Sequence, residues 1–325
     1  MLLGKAIKIV HNILFEEKLL KTTVKKVSKF LKEGTYIINK QRNLLILDNE
    51  IEHIIDLAGY FDASPLKKIR IKNTSSIDSS FSALLICEKG NKIRLFDFDN
   101  RIIKTFFSSA DGLKEYLLQR NSLPHFKTCV IFNCDEEELS IEEELLSSDT
   151  NDFFNKISCL IKFYEHYYSD VAESNSQIDN LINNKNVRTS FVEKFNEYYR
   201  KNNLSFDNVP WFIQHGDLWD ANLFIQNNQI KMIDFDKVGV FPFLYDLSLF
   251  IFTDSFFLKN KSIDKGMMNN LISKMFDPGF LGDKSFTDYF IFNMEVMCLT
   301  RHEIISQYSI CDEIISHLNA MGFDI

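Results

Sequence analysis

The chain has little of what usually punctuates or crosslinks a fold. Its 325 residues include only 5 prolines, 11 glycines and 6 cysteines. Proteins on average contain about 7% glycine and 5% proline, so this scarcity excludes collagen-like and proline-rich architectures and favours long regular elements. Hydrophobic residues make up 45% of the chain and charged residues 25%. That composition predicts a globular protein that needs no crosslink or metal for stability.

The cysteines form neither a CxxC pair nor a cluster with histidine at zinc spacing, so they indicate a reducing compartment without a disulfide framework. Lys5 and Lys8 interrupt the apolar segment that a secretory signal would need. The best candidate for a membrane span, Phe241–Leu258, contains Asp246 and Asp254, which argue against insertion. The sequence therefore predicts a cytoplasmic protein.

Charge is unevenly distributed along the chain. The net charge is −8, yet residues 1–32 carry eight lysines against Glu16 and Glu17, so the remainder carries −14. An acidic body disfavours nonspecific nucleic-acid binding, and no nucleic-acid partner is expected. Apolar residues in 1–32 recur at helical spacing, which is typical of a helix lying on an anionic membrane surface. The alternative is that this helix packs against the acidic body.

The hydrophobic pattern changes period along the chain and predicts three regions. Residues 1–60 read as helical, and 1–66 are interpreted as a helical extension. Residues 67–147 alternate with period two around one helix at 109–120, which predicts a small antiparallel lobe. Residues 148–325 are mostly helical. The predicted strands of the small lobe are 67–72, 81–87, 92–98, 101–107, 128–133 and 139–145.

The segment Trp211–Asp246 concentrates polar residues around a predicted hairpin. The hairpin pairs 223–226 with 229–233 and turns at two asparagines. Asp217, Asn222 and Asp234 are thereby delivered to one end of it. Oxygen ligands of this kind suit Mg²⁺ with phosphate oxygens, and a further carboxylate can deprotonate a hydroxyl. Together these groups supply what phosphoryl transfer from a nucleotide requires.

The motifs in this segment resemble those of a known family. His215–Asp217 followed by Asn222 fits H-x-D-x-x-x-x-N, and Ile233–Phe235 fits the metal-binding strand end that follows it. With Tyr245–Leu247, the block resembles the phosphotransferases related to aminoglycoside and choline kinases. The resemblance implies an α+β, bilobal protein-kinase-like fold, with a small antiparallel-sheet lobe and a larger, mostly helical lobe.

The same resemblance implies a role for each residue of the motif. Asp217 would be the catalytic base on the acceptor hydroxyl, and His215 would brace the catalytic loop. Asn222 and Asp234 would hold Mg²⁺ between the phosphates of ATP. Asp246 would bond backbone amides and hold the segment after the metal site.

The small lobe should supply the remaining nucleotide contacts. A phosphate-binding lysine is expected on the third strand, paired with a glutamate from the following helix, and Lys104 with Glu115 fit these positions. Ile102 shares the strand face of Lys104 and would meet adenine. Arg94 on the preceding strand is the rival to Lys104, and a solvated strand lysine is the plain alternative.

No glycine-rich loop is present in the small lobe. Asn73–Ser80 takes its place, and Ser75 and Ser76 are interpreted as phosphate-binding donors. Glu142–Leu146 is the predicted hinge, where backbone groups would bind adenine.

The predicted function is an ATP-dependent O-phosphotransferase acting on an aminoglycoside, a choline-like amine, or a glycan or lipopolysaccharide sugar. The absence of the H-R-D, D-F-G and A-P-E motifs argues against a protein kinase. Two alternatives are a nucleotide-binding pseudokinase scaffold and a membrane-associated adaptor that acts through residues 1–32.

Overall fold

The computed structural model describes residues 2–39, 43–57, 67–72, 80–87, 90–121, 125–150, 152–174, 189–257, 263–276, 279–300 and 308–325. The helices in these ranges are α1 (Leu2–Val27), α2 (Ala110–Asn121), α3 (Phe153–Asp170), α4 (Thr189–Lys201), α5 (Tyr245–Phe257), α6 (Lys265–Met275), α7 (Phe286–Thr300) and α8 (Tyr308–Ala320). The strands are β1 (Gly34–Ile38), β2 (Leu44–Leu47), β3 (Lys67–Ile71), β4 (Ala83–Cys87), β5 (Lys92–Asp97), β6 (Ile102–Phe107), β7 (Ile131–Asp135), β8 (Ser140–Glu144), β9 (Trp211–Gln214), β10 (Leu223–Gln226), β11 (Gln229–Met232) and β12 (Gly239–Pro242).

The described chain divides into two compact units, Met1–Leu118 with Thr128–Ser147, and Gln119–Lys127 with Ser148–Ile325. The first unit is an antiparallel sheet in the order β3-β1-β2-β4-β5-β6-β8-β7. The second unit is mostly helical and contains the hairpin β10–β11 and the pair β9–β12. The α+β class predicted from the sequence is confirmed. No helix among the described residues is long and apolar enough to cross a membrane.

The two faces of the large sheet are covered by different helices. On one face, Leu20 and Val27 of α1 pack against Leu95 and Phe106 in a buried cluster. On the other face, α2 packs Leu113 against Phe107 and Ile141. The side chain of Ser109 accepts a hydrogen bond from the Gly112 amide at 3.1 Å and so caps the start of α2, in agreement with the helix predicted at 109–120. The two helices therefore contact opposite faces of the sheet.

The prediction that residues 1–60 are helical is wrong over Gly34–Ile38 and Leu44–Leu47, which are strands, whereas Asp48–Leu57 forms a 3-10 helix. Strands β1 and β2 lie side by side within the sheet, and β1 also pairs with β3. Residues 34–47 are thus part of the first unit and not of a helical extension. All four residues of β2 are buried, so its leucines and isoleucine form an unbroken apolar run. Such a run has no strand period and cannot be distinguished from a buried helix by periodicity.

The packing of α1 divides its apolar residues into two groups. Leu20 and Val27 are buried against the sheet, in agreement with the alternative that this helix packs on the protein body. Leu14 is instead 61% exposed, and its neighbour Phe15 is 49% exposed.

Candidate active site

The candidate catalytic residues lie on a loop between β9 and β10 in the second unit. The loop begins at His215, contains a short 3-10 helix over Asp220–Asn222, and enters the hairpin at Leu223. The hairpin turn falls at Asn227 and Asn228, both with positive φ. A two-residue turn with positive φ at both positions has a backbone twist that matches the twist of the paired strands, and its presence confirms the predicted hairpin.

A buried carboxylate anchors the start of the loop. Asp246, at the first turn of α5, accepts hydrogen bonds from the backbone amides of His215 and Gly216, each at 2.8 Å. Tyr164 of α3 donates to the same carboxylate at 2.5 Å. The sequence predicted that Asp246 bonds backbone amides, but these amides precede Asp217 and do not belong to the segment after the metal site.

The protonation state of Tyr164 preserves its hydrogen bond to Asp246. Burial raises the pKa of Asp246, and His215 together with the Tyr164 and amide donors opposes that rise. Burial, reinforced by the charge of Asp246, raises the pKa of Tyr164 well above its ordinary value. The Tyr164 hydroxyl therefore stays protonated and remains a donor.

His215 connects the loop to the hairpin. Its ring is fully buried, and Nε2 lies 2.8 Å from the carbonyl oxygen of Ile233. The Asp217 amide lies 3.3 Å from Nδ1. Because the Nε2 proton donates to a carbonyl, Nδ1 is the acceptor for that amide. These contacts support the bracing role that the motif implies for His215.

The two candidate metal ligands are joined through the backbone. The Ile233 amide donates to the Asn222 carbonyl at 3.2 Å, which brings Asn222 beside the residue that precedes Asp234. The side-chain nitrogen of Asn222 donates to the Asp217 carbonyl at 2.9 Å, so the amide oxygen is the atom that could bind a cation. Asp234 adopts a left-handed conformation with φ 66°. An amide oxygen and a carboxylate fit a hard cation that takes its other ligands from phosphates and water.

Among the described residues, no group of three or more histidine, cysteine, aspartate or glutamate side chains could hold a metal ion by itself. A cation at Asn222 and Asp234 would therefore depend on ligands supplied by a bound phosphate chain.

A buried lysine fixes the middle of the loop. The ammonium of Lys156 on α3 lies 2.7 Å from the carboxylate of Asp220, and only 3% of the lysine side chain is exposed. Lys156 was not among the site residues predicted from the sequence. The signal was available, because Lys156 stands one turn before Leu160 in the apolar stripe of α3. A lysine at a core position of an amphipathic helix indicates a buried ionic partner.

This ion pair leads to a testable expectation about loop positioning. Lys156→Met removes the ion pair that holds the Asp220 carboxylate, whose side chain is 33% exposed, and so frees the middle of the loop to move. We expect turnover to fall by about tenfold or more, with a smaller change in the Michaelis constant for ATP. In a double-mutant cycle, adding Asp220→Asn should cost little further. Additive losses in the double variant would mean that the pair does not position the loop.

The backbone conformation at position 216 and the close packing around it both require glycine. Its φ is +75°, and a Cβ at this position would overlap the Lys237 carbonyl oxygen and lie 2.5 Å from the Phe241 ring. A left-handed alanine alone costs about 1–2 kcal/mol, and the overlap would force the loop away from Asp246.

We expect Gly216→Ala to lower turnover by about tenfold or more and to lower the thermal midpoint. The matched control is Gly282→Ala, because Gly282 has φ +65° and nothing within 4 Å of its Cβ position. The two variants share the backbone strain and differ in the overlap. Equal turnover in both variants would show that the loop tolerates displacement.

The structure places Lys104 away from its predicted partner Glu115. In the strand register Lys104 lies opposite Leu95 and Glu142, so it shares the sheet face that α1 covers. Its ammonium lies 2.9 Å from Glu138 and 3.2 Å from Glu142. Burial lowers the pKa of Lys104, but these two carboxylates outweigh burial and the pKa is raised.

Glu115 lies on α2, which packs against the opposite face of the sheet, and it is exposed. The predicted pairing of Lys104 with Glu115 is therefore wrong. Ile102 packs with the α1 cluster and so shares the strand face of Lys104, as predicted, and its contact with adenine stays a prediction.

Two further sets of nucleotide contacts were predicted in this unit, the serine-rich loop and the hinge. Ser75 and Ser76 lie outside the described residues, and their role stays a prediction. Glu142–Glu144, predicted as part of a hinge, belong to β8, which pairs with β6 and β7. Their backbone groups serve the sheet, so the hinge prediction fails for these three residues.

Residues 185–262 match the family described as "Phosphotransferase enzyme family". No curated protein matches the chain. Solved structures that match include a choline kinase from Streptococcus pneumoniae, at 12% identity and TM-score 0.45, covering 71% of this chain and 90% of that one.

Two further solved structures match over a comparable length. A choline/ethanolamine kinase family protein from Mesorhizobium loti matches at 11% identity and TM-score 0.42, covering 84% of this chain and 90% of that one. An amicoumacin kinase in complex with AMP-PNP, Ca²⁺ and amicoumacin matches at 12% identity and TM-score 0.42, covering 71% and 83%.

The matched segment 185–262 contains the whole loop, the hairpin and the anchoring Asp246. It therefore includes every motif on which the resemblance was based, and it confirms that resemblance. Residues 185–262 of this chain are thus similar to the phosphotransferase enzyme family, within a chain of α+β class.

Proposed function

We propose that the protein is an ATP-dependent O-phosphotransferase that transfers the γ-phosphate to a hydroxyl of a small molecule or sugar. The observation that carries the proposal is the Asp246-anchored loop, which fixes the backbone on both sides of Asp217. A half-buried carboxylate held in this way can accept a proton without reorganising.

In the proposed reaction, Asp217 accepts the proton of the acceptor hydroxyl as its oxygen forms a bond to the γ-phosphorus. The bond between that phosphorus and the β–γ bridging oxygen breaks, and ADP carries away the electron pair. Asn222 and Asp234 would hold a divalent cation, taken to be Mg²⁺, which neutralises charge on the phosphates when bound. The amicoumacin kinase that was solved with AMP-PNP and Ca²⁺ is in keeping with this cofactor pair.

We assign the phosphate-side cation of the first unit to Arg94 instead of Lys104. Arg94 lies opposite Leu85 and Thr105 in the sheet, and Thr105 in turn lies opposite Ile141. Since Ile141 packs against α2, Arg94 lies on the sheet face that α2 covers. In the resembling family, the cation that binds phosphate would lie on this face and pair with a glutamate of the helix. A guanidinium is also well suited to phosphate because it donates in a planar fork.

The assignment is tested by comparing Arg94→Ala with Lys104→Ala. We expect the Michaelis constant for ATP to rise by about tenfold or more in the arginine variant and to change little in the lysine variant. Lys104→Ala should instead lower stability, because Glu138 and Glu142 would lose the ammonium between them. A larger Michaelis defect in the lysine variant would restore the original assignment.

The net charge of the chain outside residues 1–32 favours one class of acceptor. The chain outside residues 1–32 carries −14, which favours a cationic acceptor such as an aminoglycoside or a choline-like amine over an anionic glycan. A panel of aminoglycosides, macrolides, choline, ethanolamine and lipopolysaccharide sugars, scored by ADP release, tests this order. A cationic acceptor should raise ADP release above the acceptor-free rate. Nucleotide binding without stimulation by any acceptor would favour the pseudokinase alternative.

A further inference from the structure

A cavity of about 340 Å³ lies within the first unit, between α1 and the edge strand β3. Its volume is in the range of small-molecule sites. Apolar side chains form its floor, and basic side chains dominate its rim. The apolar lining residues are Leu20, Val24, Ile38, Ile69 and Ile71, and the charged ones are Glu17, Lys21, Lys25, Lys67, Arg70 and Lys72.

The rim of this cavity, called here the α1–β3 groove, carries five cations against one carboxylate. All five cationic residues are exposed. We find no ion pair between any of them and a carboxylate of the described residues, whereas the neighbouring Lys68 is paired with Asp48 at 2.7 Å. The combination of unpaired cations and an apolar floor fits a ligand that has both an anionic and an apolar part.

The α1 side of the groove continues into an exposed apolar end. The α1 lining residues recur every three or four positions, so they form one stripe along the helix. Leu14 stands one turn before Glu17 on the same stripe and is 61% exposed, and Phe15 beside it is 49% exposed. Exposed apolar side chains next to a basic stripe are what a helix presents to a bilayer interface.

We propose that the α1–β3 groove binds the headgroup and upper acyl chain of an anionic phospholipid, with α1 lying on the bilayer surface. The proposal is independent of phosphotransferase activity. No aromatic side chain lines the groove, so the stacking surface that single-stranded nucleic acid uses is missing from the described lining. An acidic peptide added to the edge of β3 would leave the exposed Leu14 and Phe15 without a function.

The test is sedimentation of the full chain with phosphatidylcholine vesicles, with and without phosphatidylglycerol. Each basic residue near an anionic surface contributes roughly fivefold in affinity. The triple variant Lys21→Glu, Lys25→Glu, Arg70→Glu should therefore lose anionic-vesicle binding by about a hundredfold or more. The matched control is Lys114→Glu, Lys162→Glu, Lys194→Glu, which makes the same charge change at exposed positions on α2, α3 and α4. Far-ultraviolet circular dichroism of each variant checks that it is folded.

A second variant tests the apolar contribution. Leu14→Ser with Phe15→Ser should weaken vesicle binding but leave binding of a soluble short-chain phosphatidylglycerol to the groove unchanged. Three results would overturn the proposal: no preference of the wild type for anionic vesicles, equal loss in the groove and control variants, or binding of the short-chain lipid without binding of vesicles. The last result would place a free anionic amphiphile in the groove instead of a bilayer lipid.

Discussion

Asp217→Asn is expected to lower turnover by at least about a hundredfold, as the loss of a general base does. Asparagine keeps the size of the side chain but cannot accept the hydroxyl proton. The fold should be retained, because two contacts of Asp217 within the loop are made by backbone atoms: its amide donates to His215 and its carbonyl accepts from Asn222. Substitution of the side chain leaves both contacts in place.

The measurements are steady-state turnover and the thermal midpoint of unfolding. The matched control is Asp207→Asn, which makes the same chemical change at an exposed position of the second unit. This control should retain full turnover. Near-wild-type turnover in Asp217→Asn would remove Asp217 as the base.

Asp234→Ala is expected to abolish nucleotide binding that depends on a divalent cation, because a hard cation would lose its carboxylate ligand. The backbone adds a second effect. Asp234 has φ 66°, a conformation that aspartate and asparagine tolerate better than alanine does. Asp234→Asn therefore serves as the companion variant, since it removes the charge while it keeps an oxygen and a tolerant side chain.

Calorimetric titration with a non-hydrolysable ATP analogue, with and without Mg²⁺, measures both effects. We expect Mg²⁺ to strengthen binding to the wild type, to have a small effect with Asp234→Asn, and to have none with Asp234→Ala. Unchanged affinity of the alanine variant in the presence of Mg²⁺ would exclude Asp234 from the metal site.

The local features that the sequence predicted are those determined by residues close together in the chain. The Asn227-Asn228 turn specifies its hairpin because two adjacent residues must adopt positive φ. Asp152 likewise caps α3 by accepting the Asn155 amide at 2.8 Å, within the region predicted to be mostly helical. In both cases a short stretch of sequence contains the whole physical cause.

The features that the sequence did not predict depend on distant packing. Lys104 and Arg94 both occupy strand positions with period two, and only the strand register shows which of them faces α2. The partner of Asp220 is Lys156, on a helix 64 residues earlier in the chain. The burial of β2 on both sides removed the alternation that would have identified it as a strand. Sequence periodicity shows which residues share one face of a helix or strand, but it does not show which element packs on that face.

The proposed transfer of a phosphoryl group from ATP to an acceptor hydroxyl is tested by tracing where the labelled γ-phosphate of ATP goes. The protein is incubated with γ-labelled ATP, Mg²⁺ and the acceptor panel, and the products are separated into nucleotide, inorganic phosphate and acceptor phosphate ester. We predict that label appears in an acceptor ester with wild-type protein and is lost with Asp217→Asn. Retention of all label in ATP, by a protein that still binds the nucleotide, would contradict the claim.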